Sequence, residues 1–426
     1  MDCSHENRWS LVATDDEDPQ PLDWADNNIW ESDLFEEHDD WPPIMVAADD
    51  DDPEPLISLL QAGEDPNTND SNGITPLMIA AYNDNSPALN ALLEAGANVN
   101  ATTTTGITAL MVAAYAASDP EVFSALLSGG ANIDKVDDDG YTALMIAVEG
   151  REYEVVELLV DAGADVNATN HFEETALMLA ASIQPDYVEM LLEAGAEPNV
   201  TKRNLRTPLI YAVIMGDVYA VRDLLRYGAK ADVADKYDES PLIIAINMYA
   251  ANYEQNYLLC INALLEGGAN PNFTTDITPL QTAVTNNDVR SVRYLVRAGA
   301  IDSGLLLTEV IMENNVDMVR ALLQTSVANT RLDVVARVSK TEDMYSMMRG
   351  EAADMPPLDY YLYVAALYGA DAVVPVLLHA GATINSILSP VTAAEEAGHA
   401  AVVRQLKQRR PRRMTRRTYK LERDEV

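Results

Sequence analysis

The sequence holds side chains able to do chemistry, but not at the spacings that chemistry needs. The histidines His5, His38, His171, His379 and His399 are scattered, and the cysteines Cys3 and Cys260 stand far apart. Neither HExxH nor CxxC occurs, so no metal-ligand set can be read from the chain. No GxGxxG follows a strand pattern, no GxxxxGK[ST] loop cradles a phosphate, and Gly-Xaa-Ser-Xaa-Gly is missing. The carboxylate run Asp49–Asp52 lacks the graded spacing and central glycine of a calcium loop and suits a solvated turn. A column of methionines, Met78, Met111, Met145 and Met178, tempts a metal reading. At helical spacing inside repeated segments, such a column belongs to a core, where Met fills irregular gaps. The expectation is a non-enzymatic chain with no cofactor.

The elements that carry these residues are best seen in GITPLMIAAYNDNSPALNALLEAGANVN, residues 73–100. Thr75 can cap a helix, and Pro76 sits at its first position, where the missing N–H costs nothing. Leu77, Ile79, Ala80 and Ala81 supply the apolar stripe of a helix of about two turns. Asn83 to Ser86 form a polar turn, and Pro87 opens a second helix that buries Leu89, Leu92 and Leu93. Gly96 stops it in the left-handed conformation. A pair this small cannot bury its own apolar face and must stack on copies of itself.

The copies are present. The opening hydroxyl recurs at Thr75, Thr108, Thr142, Thr175, Thr207 and Ser240, and the closing glycine at Gly96, Gly130, Gly163, Gly195 and Gly228. A period of about 33 with Thr-Pro-Leu starts resembles the ankyrin repeat, a turn followed by two antiparallel helices. The segments TPLMIAA, TALMVAA, TALMIAV, TALMLAA, TPLIYAV, SPLIIAI and TPLQTAV carry the resemblance, clearest over residues 70–300. Ankyrin repeats usually place His after Thr-Pro-Leu. Here that column holds Met78, Met111, Met145, Met178, Ile210, Ile243 and Gln281, which trades hydrogen bonds for packing.

The resemblance implies that the connecting turns project as fingers, and that fingers and first helices form a concave surface for partners. The fingers read NDSNG (69–73), TTTTG (102–106), VDDDG (136–140), TNHFE (169–173), KRNLR (202–206) and ADKYD (234–238). Their variable positions become partner-binding candidates: Asp137, Asp138, His171, Phe172, Arg203, Leu205, Arg206 and Tyr237. Aromatic and apolar groups beside charges suit a protein interface. Equally, fingers vary where little constrains them.

Residues 235–274 break the period, because forty residues separate Gly228 from Gly268. Tyr249, Tyr253 and Tyr257 recur there every four residues, on one face of a lengthened helix. Such a stripe is either a contact surface or packing against the next repeat. Beyond Gly299 the pattern decays: Ser326 stands where a glycine is due, 331–352 reads as a worn pair, and Gly381 closes a better one. VTAAEEAGHAAVVRQLKQ has the polar character of a terminal cap. The period sustains ten to twelve helix pairs in all.

The ends differ from the body. Residues 1–40 are an acidic arm carrying Trp9, Trp24 and Trp30, with Ile29, Trp30, Leu34 and Phe35 along one side of a short helix. The arm is either a lid on the first repeat or a recognition motif for another protein. Residues 409–426 reverse the charge with Arg409, Arg410, Arg412, Arg413, Arg416 and Arg417. That tail is either a solvated end or a patch for nucleic acid, membrane or an acidic protein. The whole chain of 426 residues carries a net charge of −40. Such charge disfavours nucleic acid or anionic membrane on the repeat body, and suits a basic partner protein or simple solubility. Two cysteines give no disulfide framework, no apolar run spans a bilayer, and the N-terminus lacks a signal-peptide core. A cytoplasmic monomer is expected, with nuclear entry through the basic tail open.

The expected architecture is an all-α ankyrin-repeat solenoid of about ten to twelve units with short finger turns and disordered or partly ordered tails. It divides into an arm or cap (1–40), the array (41–408, regular over 70–300 and degenerate over 301–408) and the basic tail (409–426). The expected function is a scaffold that binds a basic protein through the finger and first-helix face. The alternative is a tether acting through its two ends, and a third reading is nucleic-acid mimicry by the acidic surface.

Overall fold

The computed structural model describes residues 41–183, 186–274, 276–302, 305–323, 356–384 and 388–408. Among them there are 22 helices and no strand. They belong to two compact units, Met1–Lys230 and Ala231–Val426.

The first unit holds six helix pairs: α1 (Pro43–Asp49) with α2 (Pro53–Ala62), α3 (Pro76–Tyr82) with α4 (Ser86–Glu94), and α5 (Ala109–Ala116) with α6 (Pro120–Ser128). There follow α7 (Ala143–Gly150) with α8 (Tyr153–Asp161), α9 (Ala176–Ile183) with α10 (Asp186–Glu193), and α11 (Pro208–Met215) with α12 (Val218–Arg226). First helices pack on first helices and second on second, so the unit has two layers. The inner layer explains the composition of the first helices. In α3, Pro76 through Ala81 are all buried, because neighbours cover it on several sides. The second helices bury one stripe only, as with Val155, Val156 and Leu159 of α8. In the second pair Leu89 and Leu92 are buried as expected, whereas Leu93 is only partly covered because it falls at the edge of the stripe. The methionine column is core: Met78, Met111, Met145 and Met178 are each at most 2% exposed.

Each first helix opens as its sequence suggests. The hydroxyls of Thr75, Thr108, Thr142, Thr175 and Thr207 accept the N–H three residues on, at 3.3–3.4 Å. The run Asp49–Asp52 is a capping turn: Asp52 caps α2, and the Asp49 carboxylate and the Asp50 carbonyl accept from the side chains of Asn83 and Asn85 in the next pair. A second device joins the layers. Asn100 donates its Nδ2–H to Gly130 O and accepts Asn132 N–H, and Asn167 and Asn199 repeat the pattern with Gly195 and Gly228. Asp134 stands in the same column and accepts Asp165 N–H at 2.8 Å, but a carboxylate has no hydrogen to donate.

The second unit holds five pairs: α13 (Pro241–Asn252) with α14 (Gln255–Glu266), α15 (Pro279–Thr285) with α16 (Val289–Arg297), and α17 (Leu305–Met312) with α18 (Val316–Leu322). It closes with α19 (Pro357–Tyr368) and α20 (Val374–Ala380), then α21 (Pro390–Glu396) and α22 (Ala400–Gln408). Lys407 pairs with Glu395 between the last two helices, consistent with their polar character.

One expectation changes here. The tyrosines do not share one helix face. The extra residues lengthen both α13 and α14, α13 ends at Asn252, and Tyr253 caps it with a left-handed φ of 55°. Tyr249 and Tyr257 are buried on different helices, whereas Tyr253 is 75% exposed at the turn. The four-residue spacing misleads because the chain reverses at Tyr253. The segment 331–352 itself lies outside the described residues, as does Ser326. Among the described residues α17 packs on α19, and Asn314 donates to the Asp371 carboxylate and accepts the Ala372 N–H. The arm with Trp30 and the basic tail also lie outside the described residues.

Candidate functional site

The first four fingers are each closed by a side chain near the start. Asp70 Oδ1 accepts the N–H of Asn72 and Ile74, and Thr103 Oγ1 those of Thr105 and Ile107. Asp137 Oδ1 takes Asp139 and Tyr141 at 3.0 and 2.7 Å, and Asn170 Oδ1 takes Phe172 and Glu174 at 3.0 and 2.8 Å. Short polar side chains close turns this way because they imitate a backbone carbonyl. Lys202 holds the corresponding position in the fifth finger and cannot accept. There Asn204 Oδ1 accepts Arg206 N–H instead, and Lys202 Nζ reaches back 2.9 Å to the buried Glu174 carboxylate.

The fourth residue of each turn is left-handed. In the first three fingers it is Gly73, Gly106 and Gly140, and the absent Cβ admits the next finger. A Cβ on Gly106 would lie 2.9 Å from Asp137 Cα, and one on Gly140 2.9 Å from His171 N. The close approach allows a backbone ladder. Thr104 N–H donates to Asn72 O at 2.8 Å, Asp138 N–H to Thr105 O at 3.0 Å, and His171 N–H to Asp139 O at 2.9 Å. The next two fingers of this unit carry Glu173 and Leu205 at the left-handed position, with φ of 63° and 61°. The bond that would continue the ladder, from Arg203 N–H to Phe172 O, is not made. Side chains bridge these fingers instead, Arg203 to Glu173 and Lys202 to Glu174, both at 2.9 Å.

The candidate residues therefore fall into different roles. Asp137 is partly buried and turns its Oδ1 into its own finger, whereas Asp138 is exposed at the tip. His171 is exposed and gives its N–H to the ladder, and Phe172 beside it is partly buried. Arg203 is exposed, Arg206 partly buried, and Leu205 is 50% exposed at the strained position. Tyr237, in the second unit, is 46% exposed with the Lys236 ammonium 5.0 Å from its ring centre. Among the described residues, those of fingers three to five come together on the first unit.

A group of titratable residues at the base of these fingers escapes a reading of the finger tips. Burial, then the charges of Glu174 and Asp137, push the Glu149 carboxyl up to about 8, against a hydrogen bond from Tyr141 that lowers it. Burial, then Glu149 and Glu174, push the Tyr141 hydroxyl up as well. Burial also raises Asp137, opposed by the N–H groups of Tyr141 and Asp139. The signal lies in the columns. Seven residues after the opening hydroxyl stand Tyr82, Tyr115, Glu149, Ser182 and Ile214, a single carboxylate among neutral groups. Just before the hydroxyl stand Ile74, Ile107, Tyr141, Glu174 and Arg206, an apolar column turned polar.

Among the described residues no group of three or more His, Cys, Asp or Glu side chains is arranged to hold a metal ion. None of the described helices is long and apolar enough to cross a membrane. Among solved structures, the ankyrin repeat domain of human ASB11 is 26% identical, covering 54% of this chain and 100% of that one, with a TM-score of 0.47. The ankyrin repeat domain of Bcl-3, a member of the IkappaB protein family, is 27% identical, covering 49% and 95%, with a TM-score of 0.45. No curated protein matches the sequence. A family model of ankyrin repeats in three copies matches residues 44–137, 111–202, 177–248 and 247–334. The stacked helix pairs, the period and a family match running from residue 44 to 334 agree, and the chain belongs to the ankyrin-repeat family.

Proposed function

We propose that the chain is a non-enzymatic scaffold and that a basic partner protein lands on fingers three to five of the first unit. Ankyrin repeats are generally protein–protein interaction modules, which supports the class of function. The observation that carries the location is Leu205. Its left-handed backbone favours glycine, and its apolar side chain stands half exposed. Stability alone gives no reason for leucine there, and strained, exposed apolar residues suit anchors of an interface. A basic partner follows from the exposed Asp138 tip and the net charge of −40.

The test is affinity capture from native lysate with the full chain, comparing wild type with Leu205→Gly, Phe172→Ala and Asp138→Lys. A Thr104→Ala change in the second finger serves as control. The expected result is a basic protein held by wild type and by the control and lost by the first three variants, with the Asp138 effect largest at low salt. Equal recovery by all variants would overturn the assignment.

A further inference from the structure

The exposed face of α16 runs against the charge of the rest of the molecule. Arg290, Arg293 and Arg297 lie three and four residues apart, so they share one face, and all three are exposed. The buried stripe of the same helix is Ser291, Val292, Leu295 and Val296. No acidic residue occurs within Val289–Arg297. Among the described residues none of the three arginines is ion-paired, in a chain with 68 Asp and Glu against 28 Lys and Arg. The polar side-chain partner of Arg290 is a neutral one, the Tyr249 hydroxyl at 3.3 Å.

Helix stability does not explain this arrangement. Arg297 in the last turn complements the helix dipole, but Arg290 in the first turn opposes it. Like charges at this spacing also repel. Three forked guanidinium groups left without carboxylates are the usual means of holding an anionic group by paired hydrogen bonds.

We propose that the arginine face of α16 binds a short carboxylate-rich segment of a partner protein, separately from the finger face. Charge complementarity identifies the occupant, and length narrows it. Arg290 to Arg297 spans about 10 Å along the helix, and an extended peptide covers that distance in about three residues. A nucleic acid fits less well. It presents a charge every ~1.7 Å over its whole length, and everything beyond the arginine face would meet a strongly acidic chain.

The probe is a fluorescein-labelled peptide of four consecutive glutamates flanked by Gly-Ser, titrated with the full-length protein and followed by anisotropy at low and physiological salt. Wild type is expected to bind at low salt and to weaken as salt rises. Arg290→Gln/Arg293→Gln/Arg297→Gln and the milder Arg293→Glu are each expected to bind about tenfold or more weakly, with unchanged helical circular dichroism. Arg222→Gln on α12 is the control and should stay within about twofold of wild type. Absence of wild-type binding, or equal binding by the α16 variants, would overturn the proposal. Tighter binding of a single-stranded oligonucleotide of equal charge through the same arginines would replace the peptide with nucleic acid. Self-association that the variants abolish would replace it with a second copy of the chain.

Discussion

The first three fingers and the two that follow them in the first unit are the same turn built with different contacts. In the first set, glycine at the left-handed position lets one backbone touch the next, and the bases of the first two fingers are plugged by buried Ile74 and Ile107. In the second set, Glu173 and Leu205 take the left-handed position, and between the fourth and fifth fingers ion pairs from Arg203 and Lys202 stand where the backbone bond is missing. Backbone contacts fix the spacing of one finger on the next, whereas side-chain contacts leave shape and charge at the surface. The same fold thus joins its fingers in two ways, and the fourth finger stands where one gives way to the other.

The contrast can be broken most severely from the glycine side. Gly140→Ala forces a Cβ against His171 N in a left-handed backbone and should cost about 2–4 kcal/mol from strain and a lost hydrogen bond, read by urea denaturation. The Glu149 cluster gives the next effect. A carboxyl raised by folding favours its protonated form, so its contribution is fully present below its unfolded pKa and is lost as pH rises toward about 8. Wild-type stability should fall across that window, and Glu149→Gln should flatten the fall, gaining about 1–2 kcal/mol at pH 9. Leu205→Gly should relieve about 1 kcal/mol of backbone strain while weakening partner capture, so stability and binding move in opposite directions. Smallest is Asp134→Asn, which supplies the missing donor toward Gly163 O in the asparagine column and should add about 0.5 kcal/mol, seen as a small rise in Tm.

Much of the architecture was legible because each pair repeats its own caps. Thr75 with Pro76 and Gly96 announce the start of one helix and the end of the next, and the copies set the register. The described residues contain eleven helix pairs, within the expected ten to twelve. The tyrosines show where local pattern fails. A spacing of four means one face only while the helix lasts, and Tyr253 takes a left-handed backbone that ends it. After Gly299 the helix pairs themselves were legible, but the contact between α17 and α19 across some 50 residues leaves no mark on local sequence. At the site, the finger tips could be named from variability, but not their division of labour. Whether Asp137 faces a partner or its own turn depends on hydrogen bonds to Asp139 and Tyr141 that only the folded chain displays. Glu149 could have been found by aligning the repeats column by column rather than reading along the chain.

The central claim is that the backbone ladder is interrupted between the fourth and fifth fingers. Amide hydrogen exchange of the full-length protein, resolved by residue, tests it directly. The expected result is protection at Thr104, Asp138 and His171, whose N–H groups are bonded to the preceding finger, and fast exchange at Arg203. Protection at Arg203 equal to that at His171 would contradict it, because the fifth finger would then be locked to the fourth like the others, despite Glu173 at the left-handed position.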